Sequence, residues 1–281
     1  DTIICFSTSS ESMISFLIKL IITLIIFGVI AQAVDMSAAL RALTSARPDL
    51  LAIAVCLQFM STLVVTVRWQ LMMRALGHDQ PWRFFFKSYF RAVFFNQALP
   101  TNVGGDVIRA VDLSRAGYPK SEAIYSVLID RGIGVFGLLL LNLIAILFGA
   151  GHFPGQLTSS LIAVVLIMMI GALALFFARD VKPLARVHIL KYVHDLSSRI
   201  RIIASSWQIA IQLIILCLIV HLFAIGSVCL LGHSVGMTYN FIVYLVLVPP
   251  VFLMLLIPVS LAGWGIREGG MVALFLFVNA D

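Results

Sequence analysis

Long apolar runs separated by short polar stretches set the pattern of this chain. Five runs are long enough to cross about 30 Å of hydrocarbon as helices: Ile14 to Val34, Leu50 to Val67, Ala123 to Phe148, Leu157 to Phe177 and Ile209 to Leu231. None alternates with period 2, so they predict helices rather than the strands of a barrel. Two more apolar stretches, Phe84 to Leu99 and Phe241 to Ile257, run straight into polar patches rich in Pro and Gly. The pattern predicts an all-α polytopic membrane protein, a single transmembrane domain over residues 1–281, with about five to seven spans and two broken or re-entrant helices. Ala31-Gln32-Ala33 resembles a signal-peptidase site, but the apolar run before it is long for a leader and reads as a span.

Composition sharpens this picture. The 281 residues are 61% hydrophobic and 11% charged, with a mean hydropathy of +1.07, against roughly 25% charged in soluble domains. The net charge of +6 reports topology rather than nucleic-acid binding, because basic residues gather beside membrane spans. Cys5, Cys56, Cys217 and Cys229 are scattered without paired spacing and read mainly as small core residues. Neither H-E-x-x-H, a Walker A loop nor a D-x-D pair occurs, so no catalytic residue, metal or cofactor is assigned.

Three segments, Arg68 to Arg91, Arg109 to Glu122 and Arg179 to Arg201, hold 14 of the 19 Lys and Arg residues, while Gly149 to Gln156 and Gly232 to Asn240 hold none. The positive-inside rule places the basic segments in the cytoplasm. Both flanks of "NQALPTNVGGDVIRA", Asn96 to Ala110, are then cytoplasmic, and Phe84 to Arg109 dips into the membrane and returns. Pro100 and Gly104-Gly105 break the helix at the tip, where irregular backbone survives only against protein or a polar cavity.

"LPTNVGGDVIR", Leu99 to Arg109, aligns with "IPVSLAGWGIR", Ile257 to Arg267. Pro100 meets Pro258, Gly105 meets Gly263, and Arg109 meets Arg267. The second copy follows a neutral loop and would enter from outside, giving an inverted repeat with half-repeats of about 50–150 and 205–281. Inverted broken helices are the pattern of carriers whose polar site lies where the halves meet. The bland alternative is that the second stretch is an ordinary loop between spans.

Several motifs carry bland readings. Gly132, Gly134 and Gly137 match G-x-G-x-x-G, but inside an apolar helix they read as small residues for close helix approach. Gly232-His233-Ser234-Val235-Gly236 matches a nucleophile elbow, but no His follows Ser234 as that fold requires. His221 and Asn142 lie within spans as hydrogen-bond partners or functional groups. Trp69, Trp82 and Tyr89 read as interfacial anchors. Arg83, Lys87 and Arg91 form one helical stripe suited to anionic headgroups or to plain snorkelling. Asp130 could meet Arg109 or Arg267, and Arg131 could meet Asp106 or a lipid phosphate. Ion pairing and ligand binding are equal readings of that set.

"WQLMMRALG", "FFNQALPTNVGGDVIRA", "SVLIDRGIGVFGLLLL" and "IPVSLAGWGIREGG" together resemble the flippase-like transmembrane region of lysylphosphatidylglycerol synthases, over roughly Phe16 to Phe277. The resemblance puts Leu99-Pro100, Gly104-Gly105-Asp106, Arg109, Asp130-Arg131, Gly263, Gly265 and Arg267-Glu268-Gly269 on signature positions. Ala262 and Trp264 depart from the residues expected there, which leaves the second turn less defined. The resemblance also implies a further span beyond residue 281. No aminoacyltransferase domain follows here, so lysyl transfer is not expected of this polypeptide.

The expected function is a lipid carrier of a bacterial inner membrane, moving an anionic phospholipid or lipid-linked glycan between leaflets. Its expected substrate-binding residues are Asn102, Gly104, Gly105, Asp106, Arg109, Asp130, Arg131, Gly263, Arg267 and Glu268. Arg109, Arg131 and Arg267 would hold phosphate, with Asp106, Asp130 and Glu268 compensating them in the empty site and free turn amides adding donors. Two alternatives stay open: a membrane enzyme using Asp106 or Glu268 as base, and a non-catalytic subunit beside a glycosyltransferase or lipid synthase.

Overall fold

In the computed structural model, the described residues are 17, 20–22, 24–25, 28–29, 32, 36–98, 104–149, 151, 153–177, 188–256 and 263–276. Their helices are α1 (Met36–Thr44), α2 (Pro48–Ala75), α3 (Trp82–Ala98), α4 (Gly104–Arg115), α5 (Lys120–Gly149), α6 (Gly155–Phe177), α7 (His188–Ala204), α8 (Trp207–Ser234), α9 (Phe241–Met254) and α10 (Ile266–Phe275). Among the described residues, α2, α5, α6 and α8 are long and apolar enough to cross a membrane, and none forms a strand. The protein is an all-α, multi-pass membrane protein. The expected first span, Ile14 to Val34, falls largely outside the described residues.

The central pair is α2 and α8, antiparallel and 28 residues each. At 1.5 Å per residue each runs about 42 Å, longer than the hydrocarbon is thick. Lipid tails give apolar helices no hydrophobic reason to associate, so small residues and interhelical hydrogen bonds do the holding. Ser61 Oγ donates to the Val220 carbonyl at 3.1 Å, and Ser227 Oγ donates to the Ala54 carbonyl at 3.0 Å. At the far end the Arg47 amide donates to the Ser234 carbonyl at 3.0 Å.

Two short helical hairpins flank this pair. In the first, α3 and α4 run antiparallel: the Gly105 amide donates to Asn96 Oδ1 at 2.7 Å, and Arg91 bridges Asp112 at 2.9 Å. A Cβ at Gly105 would collide with the Ala92 carbonyl oxygen, so a glycine is needed for the helices to close. In the second, α9 and α10 pack with Gly270 against Val251 and with the rings of Tyr244 and Phe275 5.3 Å apart. Gly263 and Gly265 take φ of 78° and 83° there, a left-handed backbone that glycine adopts without a Cβ clash.

The hairpins open to opposite sides. The open end of the first lies by His78, Tyr118 and the Glu122–Arg199 pair, among the basic connections. The open end of the second lies where Tyr239 meets Phe275 and Gly149 meets Ile242, among the neutral ones. On the basic side α7 lies against the end of α6, its Ser197 Oγ and Arg201 Nε donating to the Phe176 carbonyl at 2.8 and 3.2 Å.

One expected boundary is corrected. The run Leu50 to Val67 continues as helix to Ala75, which carries Arg68 and Trp69 into the bundle. Trp69, read as an interfacial anchor, is fully buried, because it lies under the guanidinium of Arg109.

Candidate functional site

Asp130 stands ten residues into α5, about 15 Å along the helix from its start. Its Oδ1 accepts from Arg68 Nη2 at 2.9 Å and Nε at 3.2 Å, and its Oδ2 accepts from Arg109 Nη2 at 2.7 Å. All three side chains are buried. On α4, Asp106 and Arg109 are three residues apart and share a face; Arg109 Nη1 lies 3.8 Å from Asp106 Oδ1. Asp106 Oδ2 in turn pairs with Arg131 Nε. Asp130 and Arg131 point in directions about 100° apart on the helix, so one chain of contacts runs Arg68, Asp130, Arg109, Asp106, Arg131.

Aromatic and sulfur groups complete the surroundings. The Arg109 guanidinium lies 4.1 Å from the Trp69 ring centroid and 4.9 Å from that of Tyr89, within cation–π range of both. Arg68 Nη1 donates to Cys217 Sγ at 2.9 Å, and that thiol lies 3.2 Å from the Ile133 carbonyl. Helices α2, α4, α5 and α8 thus each supply a group. Removing charges from water costs several kcal/mol per ion, offset only by close pairing and further hydrogen bonds. Here one carboxylate receives two guanidiniums and the other receives a third. Among the described contacts, the network joins three guanidiniums to two carboxylates. Trp69 Nε1 and Arg109 Nε, in the same stacked pair, are buried donors with no hydrogen-bond partner, and such donors are rare in native proteins.

The second glycine stretch closes on itself. Arg267 Nη2 lies 2.7 Å from Glu268 Oε1, and Glu268 Oε2 accepts the Gly265 amide at 2.8 Å, capping α10. The described contacts of Arg267 and Glu268 do not join them to the Asp130 network. The turn amides expected as spare donors are engaged at both Gly105 and Gly265, by Asn96 and Glu268. Gly104 is buried at the start of α4, and Gly263 sits in the turn before α10. Asn102 lies outside the described residues. Among those residues no three His, Cys, Asp or Glu side chains stand close enough to hold a metal ion.

The site contains residues that the sequence reading did not assign to it: Arg68, Trp69, Tyr89 and Cys217. Arg68 follows directly on an apolar run and so reads as a topogenic charge. The available signal was helical phase, since Ser61, Val65, Arg68 and Met72 fall at i, i+4, i+7 and i+11 and are all buried. In the glycine motif of α5, Gly137 lets helices approach, since a Cβ there would stand 2.5 Å from Cys217 Cβ, whereas a Cβ at Gly132 would meet nothing within 4 Å; the Gly134 carbonyl is 2.8 Å from His221 Nε2. Ser234 ends α8 and donates to its own helix at Leu231.

Residues 16–281 match the family model described as the lysylphosphatidylglycerol synthase TM region. No curated protein and no solved structure matches the chain.

Proposed function

The chain belongs to the family of the lysylphosphatidylglycerol synthase transmembrane region, and from that membership and the buried arginine network we propose that it is a carrier of anionic lipid headgroups. The observation that carries this reading is the convergence of three arginines, Arg68, Arg109 and Arg131, on the carboxylates of Asp106 and Asp130. Charge at this depth is costly, and a phosphodiester brings a negative charge that can take the place of a carboxylate among these guanidiniums. Guanidiniums bind phosphate through paired, charge-assisted hydrogen bonds. The spare donors of Trp69 and Arg109 add two more.

The headgroup of an anionic phospholipid or lipid-linked glycan exchanges into this network from the cytoplasmic side, with Asp106 and Asp130 holding the arginines in its absence. The inverted sense of the two hairpins supports passage toward the other leaflet. The protein makes and breaks no covalent bond in this reading, and a lipid synthase or glycosyltransferase of a bacterial inner membrane supplies or consumes the cargo. The test is a leaflet assay in vesicles containing phosphatidylglycerol with a labelled headgroup. Native protein is expected to accelerate its movement, and Arg109→Ala to abolish the acceleration. Equal movement with both proteins, or none with the native one, defeats the proposal.

A further inference from the structure

Between α5, α6, α7 and α8, on the basic side of the bundle, lies a cavity of about 350 Å³, within the size range of small-molecule sites. Its walls are apolar, with Phe136 from α5, Ala172 and Phe176 from α6, Ile200 from α7, and Leu213 and Cys217 from α8. Gly132 also lines it, and a Cβ there would meet nothing within 4 Å. Leu128 and Leu173, on the same wall, are 47% and 56% exposed. Both belong to membrane-crossing helices, so the opening faces hydrocarbon. The basic end is roofed by α7, tied to Phe176 by Ser197 and Arg201.

A gap between spans is ordinarily filled by whatever lipid is nearby. This one differs in its inner wall. Cys217 lines the cavity with one face and accepts from Arg68 Nη1 through its sulfur, and Arg68 holds Asp130. The apolar volume and the charged network are therefore separated by one side chain. On α5 the same closeness recurs in sequence, since Arg131 of the network directly precedes Gly132 of the cavity.

The geometry points to the cavity between α5 and α8 as the site of one fatty acyl chain of the same anionic lipid whose phosphate engages the arginine network. This rests on the carrier reading and adds a tail site to its headgroup site. An acyl chain entering sideways fills the volume without moving a charge. It also fixes the lipid so that its phosphate lies beside Arg131.

The test reconstitutes the full chain in vesicles doped with phosphatidylglycerol bearing a diazirine midway along one acyl chain, and maps the photo-crosslinks by peptide mass spectrometry. Gly132→Leu and Ala172→Phe fill the cavity without touching the network. Crosslinks are expected several-fold denser on the lining of α5 and α8 than on Ile167 and Ile170 of the outward face of α6, and several-fold weaker in both variants, with leaflet movement reduced in parallel. Even labelling of both faces, or undiminished labelling in both variants, overturns the acyl site. Equal cavity labelling by the corresponding phosphatidylcholine probe overturns its link to the arginine network. Leaflet movement unchanged by both fillings overturns this inference and leaves the carrier reading intact. Selective cavity labelling in a native protein that moves no lipid supports the acyl site and defeats the carrier reading.

Discussion

The side-chain amide of Asn142, on α5, donates to the Val246 carbonyl of α9 at 2.9 Å. The same nitrogen donates to the Leu245 carbonyl at 3.2 Å. In an α-helix these two carbonyls would accept from the amides of residues 249 and 250, but both are proline and have none. One asparagine thus supplies the donors that two prolines removed, inside a membrane where water cannot.

Asn142→Leu is therefore expected to destabilise the protein by about 1–2 kcal/mol, the range for orphaned buried carbonyls and for hydrogen bonds between membrane helices. Pro250→Ala restores an amide for Val246, so Asn142→Leu should cost less in that background. Unfolding titrations in mixed micelles of the four proteins check this. Additive effects would show that Asn142 does not compensate Pro250.

Asp130 compensates two buried guanidiniums at once. Asp130→Ala should cost about 3–5 kcal/mol, as when one partner of a buried ion pair is removed, because Arg68 and Arg109 then face each other without a carboxylate. Asp130→Ala combined with Arg109→Leu should recover part of that loss. The same titrations measure it, and a double variant less stable than Asp130→Ala alone contradicts the assignment.

Gly137 allows α5 to touch α8 at Cys217. Gly137→Ala is expected to cost about 1–3 kcal/mol through overpacking, whereas Gly132→Ala meets open space and should be close to neutral. Cys217→Gly should soften the Gly137→Ala penalty, with a coupling of about 0.5–3 kcal/mol between contacting sites. Thermal unfolding of the single and double variants gives the coupling directly. Equal penalties at the two glycines would contradict the packing described.

Much of the fold was legible because hydrophobic length and charge placement act locally. Leu157 to Phe177 lies within α6, and Gly104 and Gly265 stand at the start of the second helix of each hairpin. The pairings Asp130–Arg109 and Arg131–Asp106 were among those the spacing allowed, since each residue's face on its helix follows from its position. Arg68 was not legible in this way. A cation at the end of an apolar run has the same sequence signature whether it faces water or a carboxylate on another helix, and only tertiary packing decides between them. The same limit applies to Trp69, whose ring belongs to the interface by composition and to Arg109 by geometry. For Asn142 the cause lay far away, in the prolines of α9.

Arg131 offers the sharpest test of charge selection, because it is the network's partly exposed arginine and its removal leaves the Arg68–Asp130–Arg109 contacts in place. Arg131→Gln lowers the network's net charge by one, while Asp106→Asn raises it by one. A charge-assisted hydrogen bond contributes about 1.5–3 kcal/mol, so the acceleration of phosphatidylglycerol movement should fall roughly tenfold or more in Arg131→Gln. Movement of a zwitterionic lipid should change little, which lowers the preference for the anionic one. Asp106→Asn should strengthen binding of the anionic headgroup and raise that preference, since the added net charge favours a phosphodiester. Both variants are read in the same vesicles at fixed ionic strength, because salt screens the partly exposed end of the network. If the two substitutions shift the preference in the same direction, or leave it untouched, net charge is not what selects the cargo.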